Sequence, residues 1–334
     1  MPSFENPIEN QTFLVRAGFP GVVAINGAIL RATSCSIKGE QSIEPVEDID
    51  GSIDMTRYKM GNFKASGDVT FTLDKAETGG NLDTFADLWA AAGRRTADGK
   101  FAETVDVIVH YHSGFTFAYD NMVVDRISLK ISASGTLDCT ASFRGRGRRP
   151  TTASDILPNL DTANAESPLR VISYNDVTIG VENMNNGGVN VNEFNLVESF
   201  DVTIDNQSEE VYVIAGQLAP YDILPKKRKV TGSITFFGRP STLADQAKNR
   251  ENDPGTNIPH VNLLLNAKIG VMPQTLVKFF GCIFQLDSTE LTNGIIKTPM
   301  QFVSLGTDAG RYLAISDYGG DEWSDTDQPH PFPQ

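Results

Sequence analysis

Apolar and polar residues alternate along most of the chain, a pattern typical of β-strands with one buried face. In the first half the clearest runs are 105–109, 115–119, 127–131 and 137–143, with turn signals at Ser113-Gly114, Asp120-Asn121 and Ser134-Gly135. The second half follows the same order, with runs at 261–265, 276–280, 283–286 and 300–305 and a strong turn dipeptide at Asn293-Gly294. The pattern predicts an all-β fold, either a barrel or a sandwich.

One short helix interrupts the strands of the first half. Its signals are Thr84 as the N-cap, Asp87 three residues later and Gly93 as the stop. The apolar face of this helix is formed by Phe85, Leu88, Trp89 and Ala92. A second capping pattern at 242–245 predicts a corresponding helix in the other half. The predicted fold is therefore all-β with short flanking helices.

Two segments of the chain are nearly identical in sequence. Residues 66–71 read SGDVTF and residues 231–236 read TGSITF, 165 positions later (231 − 66). Because this offset is about half of the 334 residues, we expect one β-rich domain built twice. The predicted organisation is a first domain at 1–150, a linker at 151–168, a second domain at 169–316 and an acidic C-terminal arm at 317–334.

The formal net charge of −14 opposes non-specific attraction to nucleic acid and to anionic membranes. One basic tract, from Arg144 to Arg149, could bind phosphate, and a solvated flank of the linker is the alternative. Cys35, Cys139 and Cys282 lie in strand-like runs without metal-ligand spacing, so we expect reduced core thiols. No apolar run reaches the ~20 residues of a membrane helix, and the N-terminus shows no signal-peptide pattern. We expect a soluble protein made in the cytoplasm, with no membrane partner.

The sequence contains none of the common catalytic or nucleotide-binding motifs. His110 and His112 lie two apart in a predicted strand and so on one face, where they could bind a metal or serve as ordinary strand residues. Asp48, Asp50 and Asp54 hint at a calcium loop, but the EF-hand spacing is not met and a solvated acidic loop is the alternative. We predict no enzyme activity, no metal and no cofactor.

A long charged segment precedes each copy of the repeated strand and passes from acidic to basic. We call residues 44–64 the first arm and residues 205–229 the second arm. Opposite charges on the two sides of an arm suit contact with an identical copy of the chain. Charges that only solvate a mobile surface hairpin are the alternative. The residues of the predicted contact are Glu47, Asp48, Asp50, Asp54, Arg57, Lys59 and Lys64 in the first arm and Glu209, Glu210, Lys226, Lys227, Arg228 and Lys229 in the second.

A charged arm, a strand with the pattern Ser/Thr-Gly-x-Val/Ile-Thr-Phe, a short helix and closing strands follow one another in each half. In this order they resemble the tail tube proteins of long-tailed bacteriophages. The resemblance covers about Ser34–Phe143 and again about Ser199–Gly306. It implies two tandem tail-tube-like β-barrel or sandwich domains and a structural virion protein without catalytic activity.

The resemblance also implies how the chain assembles. In this family the sheets of neighbouring subunits join edge to edge into a ring, the long arm stacks one ring on the next, and the double-stranded genome passes through the lumen without specific binding. Most members carry one domain per chain and form rings of six. Two domains per chain then imply trimeric, pseudo-hexameric rings in the tail of the virion, in contact with other tail proteins and made in the host cytoplasm.

Two other functions fit the sequence. A hub or tip protein of the same particle would form a single trimeric ring instead of a stack. A carbohydrate-binding pair of β-sandwiches would need surface aromatic residues, and the chain has only two tryptophans, Trp89 and Trp323. Trp89 is expected on the buried face of the helix, which leaves one candidate.

Overall fold

A computed structural model describes residues 22–46, 57–74, 81–96, 98–111, 115–151, 170–183, 191–194, 196–214, 218–238, 261–269, 272–286, 290–292, 295–304 and 313–314. These residues are mostly β-strand with one α-helix, which confirms the predicted all-β fold class. The predicted helix at 242–245, the linker beyond Thr151 and the C-terminal arm with Trp323 lie outside the described residues. Within the described ranges, no helix has the length and apolar character needed to cross a membrane.

The strands are numbered in chain order. The first half contains β1 (Val22–Ile25), β2 (Ala28–Leu30), β3 (Ala32–Cys35), β4 (Lys38–Val46), β5 (Arg57–Thr72), the helix α1 (Asn81–Gly93), β6 (Val105–His110), β7 (Thr116–Ser132), β8 (Asp138–Gly145) and β9 (Arg149–Thr151). The second half contains β10 (Val177–Asn183), β11 (Val191–Phe194), β12 (Val197–Asp205), β13 (Glu209–Val211), β14 (Asp222–Leu224), β15 (Lys229–Phe237), β16 (Val261–Ile269), β17 (Met272–Leu286), β18 (Glu290–Thr292), β19 (Ile295–Ser304) and β20 (Leu313–Ala314).

The strand pairings of the two halves follow the same order. In the first half the antiparallel neighbours run β2–β1–β6–β7–β8–β5, and β3 and β4 pair in succession along the outer side of β5. In the second half they run β11–β10–β16–β17–β19–β15–β12. The short strands β9 and β20 pair with β7 and β17 in the same way. Apart from β13, β14 and β18, each described strand of the second half therefore has a counterpart in the first.

Gly67 and Gly232 occupy matching positions in β5 and β15. A glycine beside a strand indicates a bulge or a close approach of another backbone. A Cβ atom at Gly67 would overlap the backbone of Ile37, and one at Gly232 would overlap the carbonyl of Asp201 and the ring of Phe302. Both glycines are therefore needed because another segment packs directly against the strand.

The longest strand of each half contains a bend. The turn predicted at Asp120-Asn121 is wrong, because β7 continues through it while Asn121 adopts a φ of 54°. Asparagine tolerates this left-handed conformation better than most residues. In the second half the runs predicted as two strands form the single strand β17, with Gly281 at a φ of 59°. The bend in β7 lets its first part pair with β6 in one sheet and its second part with β8 in the other.

The helix α1 begins three residues before the predicted cap. Thr84 lies buried inside the helix, so its prediction as the N-cap is wrong. The first residue is Asn81, whose N–H donates to the carboxylate of Asp74 at 3.0 Å and whose side chain bonds the backbone of Arg31. Contacts with distant strands, which no local pattern reveals, thus fix this end. The predicted end at Gly93 and the predicted apolar face are confirmed.

The two halves share one hydrophobic core. Trp89 on α1 is 1% exposed and packs edge-on against Phe279 on β17, with 6.1 Å between ring centroids. Buried residues of both halves belong to the same cluster. Cys139 and Cys282 are buried free thiols, as predicted, and burial raises the pKa of Cys282 to about 12. Because Trp89 is buried, its ring has no free face for a sugar.

Replacement of the matched glycines is expected to destabilise the fold. Gly67→Ala and Gly232→Ala should each lower the free energy of unfolding by about 1–3 kcal/mol, because the added methyl group must displace backbone atoms. Gly147→Ala is the control, since a Cβ there meets no atom within 4 Å. Urea unfolding of the three variants measures the difference. Equal stability of Gly232→Ala and Gly147→Ala would contradict the close approach.

Candidate assembly interface

The two halves are joined by antiparallel pairing of β7 with β12, which we call the seam. Its register runs from Ser132 opposite Ser199 to Arg126 opposite Asp205. One face of the seam is apolar and buried, and it is formed by Ile127, Leu129, Ile131, Phe200, Val202 and Ile204. The halves are thus held together as neighbouring strands of one sheet are, by backbone hydrogen bonds and cross-strand apolar pairs.

The other face of the seam belongs to a broad polar surface, which we call the polar face. The first half contributes β3 with β4, β5, β8 and β7, and the second half contributes β12, β15, β19 and β17. One row of residues that lie opposite each other consists of Ser34, Thr70, Thr140, Ser128, Thr203 and Thr231. The hydroxyls of Thr70 and Thr140 are 3.1 Å apart. A row of hydroxyl groups therefore runs from β3 to β15 without a break at the seam, and it ends at β15 because Val303 on β19 lies opposite Thr231.

Charged residues of the polar face flank this row and are paired. Arg126 Nη2 lies 3.0 Å from Asp205 Oδ2 across the seam. The carboxylate of Asp138 accepts a hydrogen bond from the hydroxyl of Thr72 at 2.7 Å. On the described strands of this surface, basic and acidic residues alternate across the sheet, so no block of one sign forms. The acidic surplus of the chain is not concentrated on the polar face.

Beyond the seam, the second arm turns back onto the first half. Asp125 sits where the register between β7 and β8 shifts, and its carboxylate accepts hydrogen bonds from Ser208 N–H at 2.8 Å and Arg144 Nε at 3.0 Å. Its carbonyl accepts from the N–H of Asn206 at 2.9 Å. Asn206 is fully buried and donates to two backbone carbonyls of the first half, each at 3.0 Å. We call Asp125, Arg144, Asn206 and Ser208 the latch.

A second set of contacts holds the outer part of the second arm. Asp222 on β14 lies 2.9 Å from Lys100 Nζ and 2.8 Å from Arg146 Nη2. Burial alone would raise the pKa of Asp222, but the hydrogen bond and charge of Lys100, with the charge of Arg146, hold that pKa below its ordinary value. The N–H of Phe63 on β5 donates to the carbonyl of Leu218 at 2.9 Å. The second arm therefore crosses one end of the first half, from the seam to β5.

The predicted arm contacts fall into several environments. Glu47, Asp48, Asp50 and Asp54 lie outside the described residues, while Arg57, Lys59 and Lys64 lie on β5. Glu209 pairs with Lys226 at 2.8 Å, and Glu210 lies 3.8 Å from Arg144. Lys226, Lys227 and Lys229 are exposed. Lys64 and Glu209 are exposed as well, so among the described side chains both arms present charges outward, and those of the second arm are mostly lysines.

Arg228 differs from the neighbouring lysines because it is half-buried. It lies close to Arg95, which donates to the carbonyl of Arg94 at 3.0 Å and to the side chain of Asn206. Burial, together with the charge of Arg228, lowers the pKa of Arg95 to about 9. Arg228 is thus part of the packing between the second arm and the end of α1.

The other candidate sites have ordinary surroundings. The ring Nδ1 of His110 lies 2.8 Å from the hydroxyl of Thr116, and His112 lies outside the described residues, as do the aspartates of the hinted calcium loop. In the described ranges no group of three or more potential ligands could hold a metal ion. In the basic tract, Arg149 pairs with Asp120 at 2.7 Å, and Arg144 and Arg146 bind the carboxylates named above.

Two strand edges of the polar face are open in the part of the chain that the structure describes. In that part, β4 pairs only with β5. Residues 283–286 of β17 and the short strand β18 pair only with β19. These edges match the two strands of the seam, because β4 with β3 corresponds to β12 and β17 corresponds to β7. Open edges in a soluble protein are templates for pairing with another chain.

No direct signal for the latch is visible in the sequence. Asp125 and Asn206 are isolated polar residues, and their partners lie up to 114 positions away along the chain. The hydroxyl row did leave a signal, since polar residues recur at alternate positions in the runs 66–72 and 199–203, and all of them are Ser or Thr except Asp68 and Asp201. That recurrence indicates a polar face but does not show which strands bring the hydroxyls together.

Removal of the buried amide of the latch is expected to weaken the join between the halves. Asn206→Ala should lower the free energy of unfolding by about 2–3 kcal/mol, because two buried carbonyls lose their donor. Lys227→Ala, in an exposed part of the same arm, should change it by less than about 0.5 kcal/mol. Urea unfolding measures both, and hydrogen exchange should show faster opening of residues 206–226 in Asn206→Ala only. Unchanged exchange would rule out the latch.

Comparison with known proteins agrees with this architecture. No curated protein matches the sequence. The family model for the phage tail tube protein matches residues 11–267, a range that includes both repeated strands, the seam and both arms. The match covers more than half of the chain. The chain therefore belongs to the phage tail tube protein family.

Proposed function

We propose that the chain is a major tail tube protein, a structural component of the virion tail that forms stacked rings of three chains. The observation that carries this proposal is the seam, where two matching four-stranded units are already joined edge to edge within one chain. We infer that the chain arose by duplication of a tube domain. Six units make a family ring, so three such chains complete it.

The seam serves as a template for the contact between chains. Lys64 on β5 and Lys229 on β15 are matching residues. In the strand registers Glu40 lies opposite Lys64 and Asp205 lies opposite Lys229, so Glu40 matches Asp205. By the same comparison of β7–β8 with β17–β19, Gln285 matches Arg126. Pairing the open edge of β4 with the open edge of β17 on a neighbour then places Glu40 opposite Gln285. Closing the ring in this way leaves no unpaired edge on the polar face.

The polar face is the surface that we propose lines the lumen. Its hydroxyl row and paired charges offer a duplex few unpaired cations, and phosphate contacts with Lys and Arg dominate non-specific affinity for DNA. Double-stranded DNA would then pass without specific binding. The role is structural, and self-association and contact with other tail proteins account for the partners.

The arms supply the proposed contact between stacked rings. Both arms leave the sheet at the same end, because Lys64 and Lys229 are matching residues at the base of each arm. Contact through the charged residues of the first arm and through Lys226, Lys227 and Lys229 of the second arm would then join this end to the next ring. Arg228 is left out of the proposed contact because it packs inward.

The ring register can be tested by cross-linking. Glu40→Cys combined with Gln285→Cys should give covalent trimers under mild oxidation, because residues opposite each other on paired strands lie within disulfide reach. Denaturing electrophoresis without reductant measures the products. The control is Glu40→Cys with Gln301→Cys, since Gln301 lies one strand further away and is out of reach. Trimers that form equally in both variants would contradict the register.

Charge reversal tests the proposed role of the lysines. Lys226→Glu, Lys227→Glu and Lys229→Glu together should slow tube growth and reduce its dependence on salt, because rim charges act mainly on association rate. Lys268→Glu, an exposed change on β16, is the control. Light scattering during assembly follows growth. Tubes that grow at the parental rate with parental salt dependence would exclude an electrostatic contribution from these residues.

A tail hub or tip protein is the alternative within the same particle. Such a chain would close the same trimeric ring and then stop. Electron microscopy of the purified chain separates the two functions, because a tube protein gives long stacks and a hub protein gives isolated rings under all assembly conditions.

A further inference from the structure

A cleft of about 720 Å³ lies where the second arm meets the first half, and we call it the basic cleft. Its walls come from the bend of β7, the β8–β9 connection, residues 100–104 and β14 of the second arm. The side chains that matter here are Phe101, Val123, Ile223, Lys100, Arg146, Arg148 and Arg149. The three apolar residues are buried or half-buried, whereas the four basic residues are exposed. The cleft therefore has an apolar lining with cations around its mouth.

The cations of the basic cleft outnumber its carboxylates by four to two. Both carboxylates are already paired, because Asp222 binds two of the cations and Asp120 binds Arg149. Arg148 has no carboxylate partner among the described residues, and its guanidinium carbon lies 4.8 Å from the centre of the Phe117 ring. The cleft is thus locally positive in a chain whose formal net charge is −14. A partner that brings carboxylates would complete the charge pairing.

The C-terminal arm has the complementary composition. Its segment 321–327 reads DEWSDTD, so Trp323 is flanked by four carboxylates, and no Lys or Arg occurs after Arg311. An indole ring can fill an apolar lining and stack against a guanidinium group. The carboxylates on either side of the ring would then face the cations at the mouth of the cleft.

The strand β20 places this segment within reach of the cleft. Ala314 on β20 pairs with Lys278 as Arg149 on β9 pairs with Ala118, and both partners lie three residues before the bend of their strand. The strands β17 and β7 are four strand spacings apart across β19, β15 and β12, which is about 20 Å. Trp323 follows Ala314 by nine residues, which can span up to about 30 Å.

We propose that the basic cleft binds the acidic segment 321–327 of its own chain, with Trp323 as the anchor in the apolar lining. The cleft is built from Ile223 of the second arm and from Phe101 and Val123 of the first half, so the bound segment contacts both. It adds a further contact to those of the latch and holds the second arm on the first half. The contact is intramolecular, so single chains have it before any ring forms.

The fluorescence of Trp323 tests this contact. Trp89→Phe leaves Trp323 as the only tryptophan, and it breaks no hydrogen bond that the described residues make with Nε1 of Trp89. In dilute single chains of this variant, Trp323 should emit at a shorter wavelength than in the free peptide 317–334. Acrylamide should quench it several-fold less than the peptide. Sodium chloride at about 1 M should raise the quenching, because it screens the exposed ion pairs.

Substitutions at Arg148 locate the contact. In the Trp89→Phe background, Arg148→Ser should raise the quenching to the level of the peptide, because the cleft loses the cation that has no carboxylate of its own. Arg148→Lys keeps the charge and should keep most of the protection. Lys268→Ser, which removes an exposed cation on β16, is the control and should leave the quenching low.

Three results would overturn the proposal. Quenching of Trp323 equal to that of the peptide would exclude docking, and protection that survives Arg148→Ser would exclude the basic cleft as its place. Protection that is lost on dilution would show that the segment binds another copy of the chain. If Trp89→Phe unfolds the protein, fluorine NMR of the fluorotryptophan-labelled parental chain replaces it, because only the Trp323 signal should then shift with Arg148→Ser. None of these measurements requires rings, so a failure of tube assembly is distinguished from a failure of docking.

Discussion

Pairing of strand edges is the constraint on which the rest of this structure depends. A strand with a row of free N–H and C=O groups binds whatever strand meets it, so a soluble sheet protein must cover or pair its edges. Here the chain pairs two edges internally, at the seam between β7 and β12, and two matching edges are open among the residues that the structure describes. In the ring that we propose, copies of the same chain would pair the remaining edges.

The two kinds of contact in such a ring differ chemically. Within the chain, the seam carries the Arg126–Asp205 ion pair and the latch around Asp125. The strand β17 pairs with β19 without the register shift that creates the site of Asp125, and Gln285 stands where Arg126 stands in β7. The contact between chains would therefore depend on backbone hydrogen bonds and apolar packing. A difference of this kind favours correct alternation of the halves around the ring.

The distribution of charge separates two surfaces with different roles. On the polar face, hydroxyl groups and paired charges dominate, although the chain as a whole carries a net charge of −14. The arms stand at one end of the sheet, where contact with another ring is proposed. The proposed passage of DNA along one surface and the proposed self-contact at another are consistent with these side chains.

The all-β class, the buried face of α1 and the relation to tail tube proteins could be predicted from the sequence alone, because alternation and repetition report burial within a few neighbouring residues. The sequence did not reveal the bend at Asn121, the start of α1 at Asn81 or the latch at Asn206, since each depends on partners far along the chain. The charges of the second arm were visible in the sequence, but their inward pairing with Arg144 and Lys100 was not. Which of these charges face outward depends on the tertiary fold, because strand pairing at the seam brings the second arm onto the first half.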